Sequence, residues 1–348
     1  MEFFTYILIY FCALYFIVFP YVFRERTFII FWFSISMLLS VLIRIKTDPT
    51  HGSDILTYIN VMQLDEIPIL YYREFIFFFG MKYLYDLIGN PIIVLVVFDF
   101  IFYVLLFRSI SLIRKAFFIK VNSHNSYYIY FGILLFFPVV LGMHNVGRSL
   151  LATIIAMNTF YYIANRKYLK GYIIFIISFF IHNSAIYFLP ILIFTMRKPF
   201  AKTLSVIFLF LIVLINLNLT TTSNEFLLRV LTTNVEHWKL TFAYIFSLLS
   251  ILLLLGVFEV FSSKVRKTYF FWTLLMLIII YFSSVSAFTS GTSQRVVFIV
   301  FSYLFPVLAL YIDLIFKEKK LMRFIFLNAS IMPLIFPHNS SIPLPSFF

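Results

Sequence analysis

The stretch FFIHNSAIYFLP, residues 179–190, puts His182, Asn183 and Ser184 in the middle of an apolar run. Such groups are costly in hydrocarbon unless something satisfies them. Each arm of the run 171–196 around His182 is about 11–14 residues, or roughly 16–21 Å of helix, short of the roughly 30 Å hydrocarbon core of a bilayer. The segment therefore reads either as a re-entrant hairpin with His182-Asn183-Ser184 at its tip or as two strongly tilted crossings. Both readings return the chain to the side from which it entered. Non-helical backbone at that depth is tolerated only against protein or a water-filled cavity.

The rest of the chain agrees with a membrane setting. Of its 348 residues 63% are hydrophobic and only 12% charged, and a soluble domain could not hide that much apolar side chain. Apolar segments occupy 4–22, 27–45, 91–108, 127–143, 146–164, 203–218, 240–261, 268–287, 296–315 and 321–337. Two further stretches are ambiguous: 171–196, and the aromatic, amphipathic 71–89 with Arg73, Glu74, Lys82 and Asp86. The expected fold is all-α: one polytopic transmembrane helical bundle over 1–348, with about 10–14 membrane segments, at least one of them re-entrant or interrupted near 171–196. The first apolar run has no small-residue cleavage site and is expected to be a spanning helix rather than a signal peptide. The single cysteine, Cys12, excludes a disulfide framework or a cysteine metal site.

The net charge of +13 is better explained by topology than by nucleic acid, which is not an expected partner. Most of the 27 Lys and Arg fall in six connections: Arg24 and Arg26; Arg108, Arg114, Lys115 and Lys120; Arg166, Lys167 and Lys170; Arg197, Lys198 and Lys202; Lys264, Arg266 and Lys267; and Lys317, Lys319, Lys320 and Arg323. All six lie on one side if 171–196 goes in and comes back, and if 71–89, as an interfacial helix or a hairpin, adds no net crossing. The positive-inside rule makes that side cytoplasmic. The uncommon polar chemistry then gathers on the other side.

Several groups there are candidates for chemistry. His144 and Arg148, four apart in MHNVGRSLLA, share a helix face; Arg148 either snorkels to the interface or aims a guanidinium at an anion. Asp54 and Tyr58 are also four apart. Asp54 either caps a helix or acts on sugar hydroxyls, with Tyr58 adding a ring face and a hydroxyl. His182 is an ionisable group at membrane depth, either structural or a general base near neutral pH. Arg295 is an interface anchor or a second anion ligand, and Arg229 and His237 lie in a long outer loop where a solvated role is open. Glu74 either pairs locally with Arg73 or reaches a substrate. Asp99, in the middle of an apolar helix, needs a polar partner on another helix, such as Asn158. Walker, Rossmann, HExxH and GxSxG signatures are absent, so nucleotide-driven chemistry is not expected.

The order GSDILTY, then REF, then GRSLLATIIAMNTFYYIANRKYLKGYIIFIISFFIHNSA resembles the EpsG-like, Wzy-type polysaccharide polymerases. That family shows G-x-D-x-x-x-Y, an acid shortly after it, an Arg opening a helix and His-x-Ser about 35 residues later. These fall on Gly52, Asp54 and Tyr58, on Glu74, on Arg148, and on His182 with Ser184; the family's Arg is often followed by Gln, where this chain has Ser149. The resemblance covers roughly residues 50–195, with a weaker echo at Arg295. It implies a bacterial inner-membrane, multi-pass glycosyltransferase, active on the periplasmic or outer face. It would transfer a glycan from undecaprenyl diphosphate to the non-reducing end of a lipid-linked repeat unit, in O-antigen, capsule or exopolysaccharide synthesis. Its partners would be those lipid-linked oligosaccharides, membrane lipid and a protein that regulates chain length; no cofactor and no metal are expected. On this reading Arg148 and Arg295 hold the diphosphate, His182 or Asp54 is the base, and Tyr58, Glu74, His144, Ser184 and Arg229 are substrate contacts. A flippase for lipid-linked oligosaccharide and a membrane O-acyltransferase of glycans remain the competing classes.

Overall fold

In the computed structural model of the chain the described residues are 2–45, 54–117, 124–136, 139–140, 143, 147–194, 199–221, 302, 305–313, 316 and 318–335. They form helices α1 (Glu2–Val18), α2 (Glu25–Ile45), α3 (Asp54–Gln63), α4 (Phe75–Ile88), α5 (Pro91–Phe117), α6 (Tyr127–Gly132), α7 (Gly147–Ala164), α8 (Tyr168–Ile181), α9 (Leu189–Phe194), α10 (Pro199–Thr221) and α11 (Lys319–Ile335). Residues 305–313 are also helical, and no strand occurs among the described residues. The apolar segments at 240–261 and 268–287 lie outside them.

The chain divides into two compact units. One comprises Met1–Ile186 with Phe301–Ile331, the other Tyr187–Val300 with Met332–Phe348. In the second unit α9 packs on α10, and Ser205 Oγ donates to the Pro190 carbonyl at 2.6 Å. The first unit holds the helices that matter for the site.

Helices α2 and α5 are long and apolar enough to cross a bilayer. Less than half of each apolar window is buried, and the outward residues are themselves apolar: Ile30, Leu38 and Val41 on α2, Ile93, Phe100 and Val104 on α5. A surface helix of a water-soluble protein turns a polar stripe outward, so these faces are built for hydrocarbon. The inner faces meet in an aromatic core. Tyr127 stacks on Phe28 at 3.7 Å, Phe131 lies parallel to Phe16, and Trp32 packs against Tyr103 and Phe107.

The apolar segment 127–143 is not one continuous helix. Helix α6 covers six residues, a 3₁₀ turn follows over Ile133–Leu135, and Phe136 is extended. Pro138 has no N–H to return to residue 134 and disfavours helical backbone just before it. The Trp32 indole N–H donates to the Tyr130 carbonyl at 2.7 Å. Residues 127–135 are buried throughout, so α6 is a core helix with no lipid face.

Local sequence sets the turns. Gly89 at φ 73° ends α4, its N–H returning to the Tyr85 carbonyl. Asn90 then caps α5, its Oδ1 accepting from the N–H of Ile92 and Ile93, with Pro91 as the first helical residue. Helix α7 ends in a Schellman pair, Lys167 N–H to the Tyr162 carbonyl and Arg166 N–H to that of Ile163, which puts Arg166 at φ 62°. The chain then returns as α8 along α7. Gly171 makes the approach close, since a Cβ there would lie 2.6 Å from Ile163 Cγ1. Ser178 Oγ donates to the Ala152 carbonyl at 2.6 Å. These contacts fix an antiparallel register whose far end sets residue 182 against residue 149.

Asp99 pairs with Arg44, not Asn158. Arg44 Nε and Nη2 donate to the two carboxylate oxygens at 2.8 and 2.7 Å, and Ser40 Oγ adds a third bond at 2.6 Å. Asn158 instead donates to Ser109 and to the Ile154 carbonyl. A buried carboxylate needs a full counter-charge, which an amide does not supply. The stretch 71–89 is one short helix after a 3₁₀ turn over Ile69–Glu74; at 14 residues α4 reaches about 21 Å, too short to span.

Two outcomes test this packing. Asp99→Asn, which strands the Arg44 charge, should cost about 3–5 kcal/mol, while Asp99→Leu with Arg44→Met should recover most of it, measured by thermal unfolding in detergent. Gly171→Ala should cost about 1–3 kcal/mol in the same assay, and adding Ile163→Ala should restore part of that loss by making room.

Candidate active site

The N-terminus of α7 begins Gly147-Arg148-Ser149. Arg148 points its guanidinium at the starts of two short helices. Its Nη1 lies 2.6 Å from Glu74 Oε2, its Nη2 lies 3.5 Å from Asp54 Oδ2, and its Nε–H donates to the Tyr58 hydroxyl at 3.2 Å. Its Cζ sits 5.4 Å from the Tyr58 ring centre and 5.2 Å from that of Phe78, within cation–π range of both. Asp54 opens α3, and Glu74 is the residue just before α4. Glu74 makes no capping bond through its side chain, because the carboxylate is turned to Arg148 instead. Three helix N-termini, those of α3, α4 and α7, meet here.

His182 enters from the end of α8. Its backbone is extended (φ −159°, ψ 131°) and its N–H returns to the Ser178 carbonyl, so the histidine itself breaks the helix. The α7–α8 register sets its Nε2 3.2 Å from Ser149 Oγ and 3.7 Å from Glu74 Oε1. One carboxylate thus bridges two functional groups, with Oε2 on Arg148 and Oε1 towards His182. The Glu74 side chain is 4% exposed, those of Arg148 and His182 14%, and that of Asp54 22%. Glu74 is thus the most buried of these four side chains and Asp54 the most exposed. Below the site a cavity lined by Tyr58, Phe77, Leu95, Phe102, Leu150 and Arg44 has a mostly apolar wall. Such surroundings strengthen the charge pairing above them.

Burial pushes the Tyr58 phenol above its ordinary value; Arg148 opposes that rise and Asp54 adds to it. Tyr58 therefore stays neutral at physiological pH and keeps a hydroxyl proton to donate. Removing either partner of the Arg148–Glu74 pair strands a largely buried charge, a loss of about 3–5 kcal/mol.

The structure brings together Asp54, Tyr58, Glu74, Arg148 and His182. Glu74 does not pair with its neighbour Arg73, which is exposed. Ser184 lies in the 3₁₀ turn Asn183–Phe188 that follows His182. His144, Arg229, His237 and Arg295 lie outside the described residues. Two residues that the motifs do not single out join the cluster. Ser149 does so by its bond to His182. Phe78 does so by its ring contact with Arg148; it follows Glu74 by four residues as Tyr58 follows Asp54, but in an aromatic segment that spacing does not mark it out.

The basic residues sit at the other end of the same helices. Helix α2 packs antiparallel on α5, with Phe28 and Trp32 near Phe107, so Arg24 and Arg26 lie at the end that holds Arg108, Arg114 and Lys115. Arg108 donates to the Tyr162 hydroxyl near the end of α7, one turn before Arg166. Asp54 follows the opposite end of α2, and Arg148 opens α7.

Comparison with known proteins gave one family: the model described as EpsG family matches residues 29–341, nearly the whole chain. No curated protein and no solved structure matched. With that extent of agreement, the chain belongs to the EpsG family, a family of Wzy-like polymerases.

Proposed function

We propose that the chain is a multi-pass polysaccharide polymerase of the bacterial inner membrane, with its active face periplasmic or outer. It transfers a growing glycan from undecaprenyl diphosphate to the non-reducing-end hydroxyl of a lipid-linked repeat unit, and needs no nucleotide. The observation that carries this reading is the Glu74 carboxylate bridging Arg148 and His182 at the end of the helices away from the basic residues.

In the reaction His182 Nε2 removes the proton from the acceptor hydroxyl as its oxygen attacks the sugar carbon bound to diphosphate. The carbon–oxygen bond to the diphosphate breaks, and the lipid diphosphate leaves with the electron pair. Glu74, 3.7 Å from Nε2, offsets the charge that forms on the imidazole. Asp54, the most exposed acid of the cluster, accepts from neighbouring sugar hydroxyls, while the buried Tyr58 hydroxyl accepts from Arg148 and helps to hold it beside the acids. Cationic ligands offset the charge on the leaving diphosphate.

The test is complementation of a chromosomal null with His182→Ala and Glu74→Gln at wild-type membrane levels. Transfer should fall by about 10²–10⁴-fold, leaving single repeat units on the lipid carrier outside the cell. Long polymer from both variants would overturn the assignment. Absence of any exported glycan would mark a flippase instead, and full-length polymer lacking a modification would mark an acyltransferase.

A further inference from the structure

We propose that the cluster around Arg148 is the acceptor half of the site, and that Arg148 holds its two acids in place instead of binding the donor diphosphate; this rests on the polymerase reading above. Helices α3 and α4 each offer an acid and a ring four residues apart to the same guanidinium, Asp54 with Tyr58 and Glu74 with Phe78. Nη1 is taken by Glu74, Nε by the Tyr58 hydroxyl, and Nη2 faces Asp54. Both rings also lie within cation–π range of the guanidinium. A bidentate grip on phosphate oxygens would have to compete with Glu74 and the Tyr58 hydroxyl for the edges of the guanidinium that they already hold.

The charges point the same way. Asp54 and Glu74 outnumber Arg148, so with a neutral His182 the cluster carries a net negative charge. It repels a diphosphate and suits a sugar, whose hydroxyls donate to carboxylates and to an imidazole. A diphosphate that drew Arg148 away would leave Glu74, 4% exposed, buried without its cation. The diphosphate is therefore held by cations outside this cluster. Phe78 becomes a positioning residue: it touches no reacting atom and keeps the guanidinium, and through it both acids, in register.

The experiment uses the full chain in lipid nanodiscs with undecaprenyl diphosphate as the probe. Its equilibrium binding is measured beside the rate of repeat-unit transfer and the acceptor KM. Glu74→Gln, and the charge-balanced pair Glu74→Gln with Arg148→Gln, should keep probe affinity within about threefold of wild type while transfer falls at least about 100-fold. Phe78→Leu should raise the acceptor KM and leave probe affinity unchanged, and Phe78→Trp should restore the KM. If Arg148 is the diphosphate ligand, Glu74→Gln frees it and tightens probe binding, and the double variant weakens it by about tenfold or more; either result overturns the proposal. A wild-type chain that binds no undecaprenyl diphosphate sinks the polymerase reading itself, and this inference with it.

Discussion

The pairing of Glu74 with Arg148 is the constraint on which the first unit is organised. A carboxylate buried to this degree must have a cation beside it, and the partner lies 74 positions away in the chain. Satisfying it draws the start of α4 against the start of α7. Helix α3 is brought in with them, because Tyr58 packs on Phe77 and Phe78 of α4. The tight α7–α8 hairpin then delivers His182 to the other oxygen of the same carboxylate. A single ion pair thus links four elements that the chain keeps well apart.

The same rule recurs through the unit. Arg44 and Asp99 form a bidentate pair, and Arg323 Nε lies 2.5 Å from Asp313 Oδ1 with its guanidinium over the Tyr128 ring. Each buried acid and arginine among the described residues belongs to a pair of this kind. The difference lies in what surrounds the pairs. Arg323–Asp313 is closed in by side chains and serves packing, and Arg44–Asp99 lies in the wall of the cavity below the site. Arg148–Glu74 lies beside the more exposed Asp54 and beside a histidine, where a hydroxyl can compete for an acid.

Polarity along the helices has a physical cause as well. Arginines and lysines without buried partners collect at one end of α2, α5 and α7, where solvent or lipid headgroups take their charge. The compensated cluster occupies the other end. Short helices α3 and α4 make this possible. They are too short to cross and they present their N-termini to the site.

The helical, lipid-facing character of the chain was legible in its composition and apolar segments, because a bilayer leaves few other ways to satisfy a backbone. So were the break at His182 and the residues Asp54, Tyr58, Glu74, Arg148 and His182, whose polar groups stand out in apolar surroundings. Partnership was not legible. Asp99 could as well have met Asn158 as Arg44, both distant in the chain, and Glu74 could have paired with its neighbour Arg73. Ser149 and Phe78 look like ordinary helix residues until α8 and α4 pack beside α7. The break of 127–143 after α6 gave only a weak signal in Pro138. What the chain determined by itself was which groups are too polar to be left alone in hydrocarbon. Which group answers which depends on the register of helices distant in sequence, and packing against lipid and core sets that register only once the helices have come together.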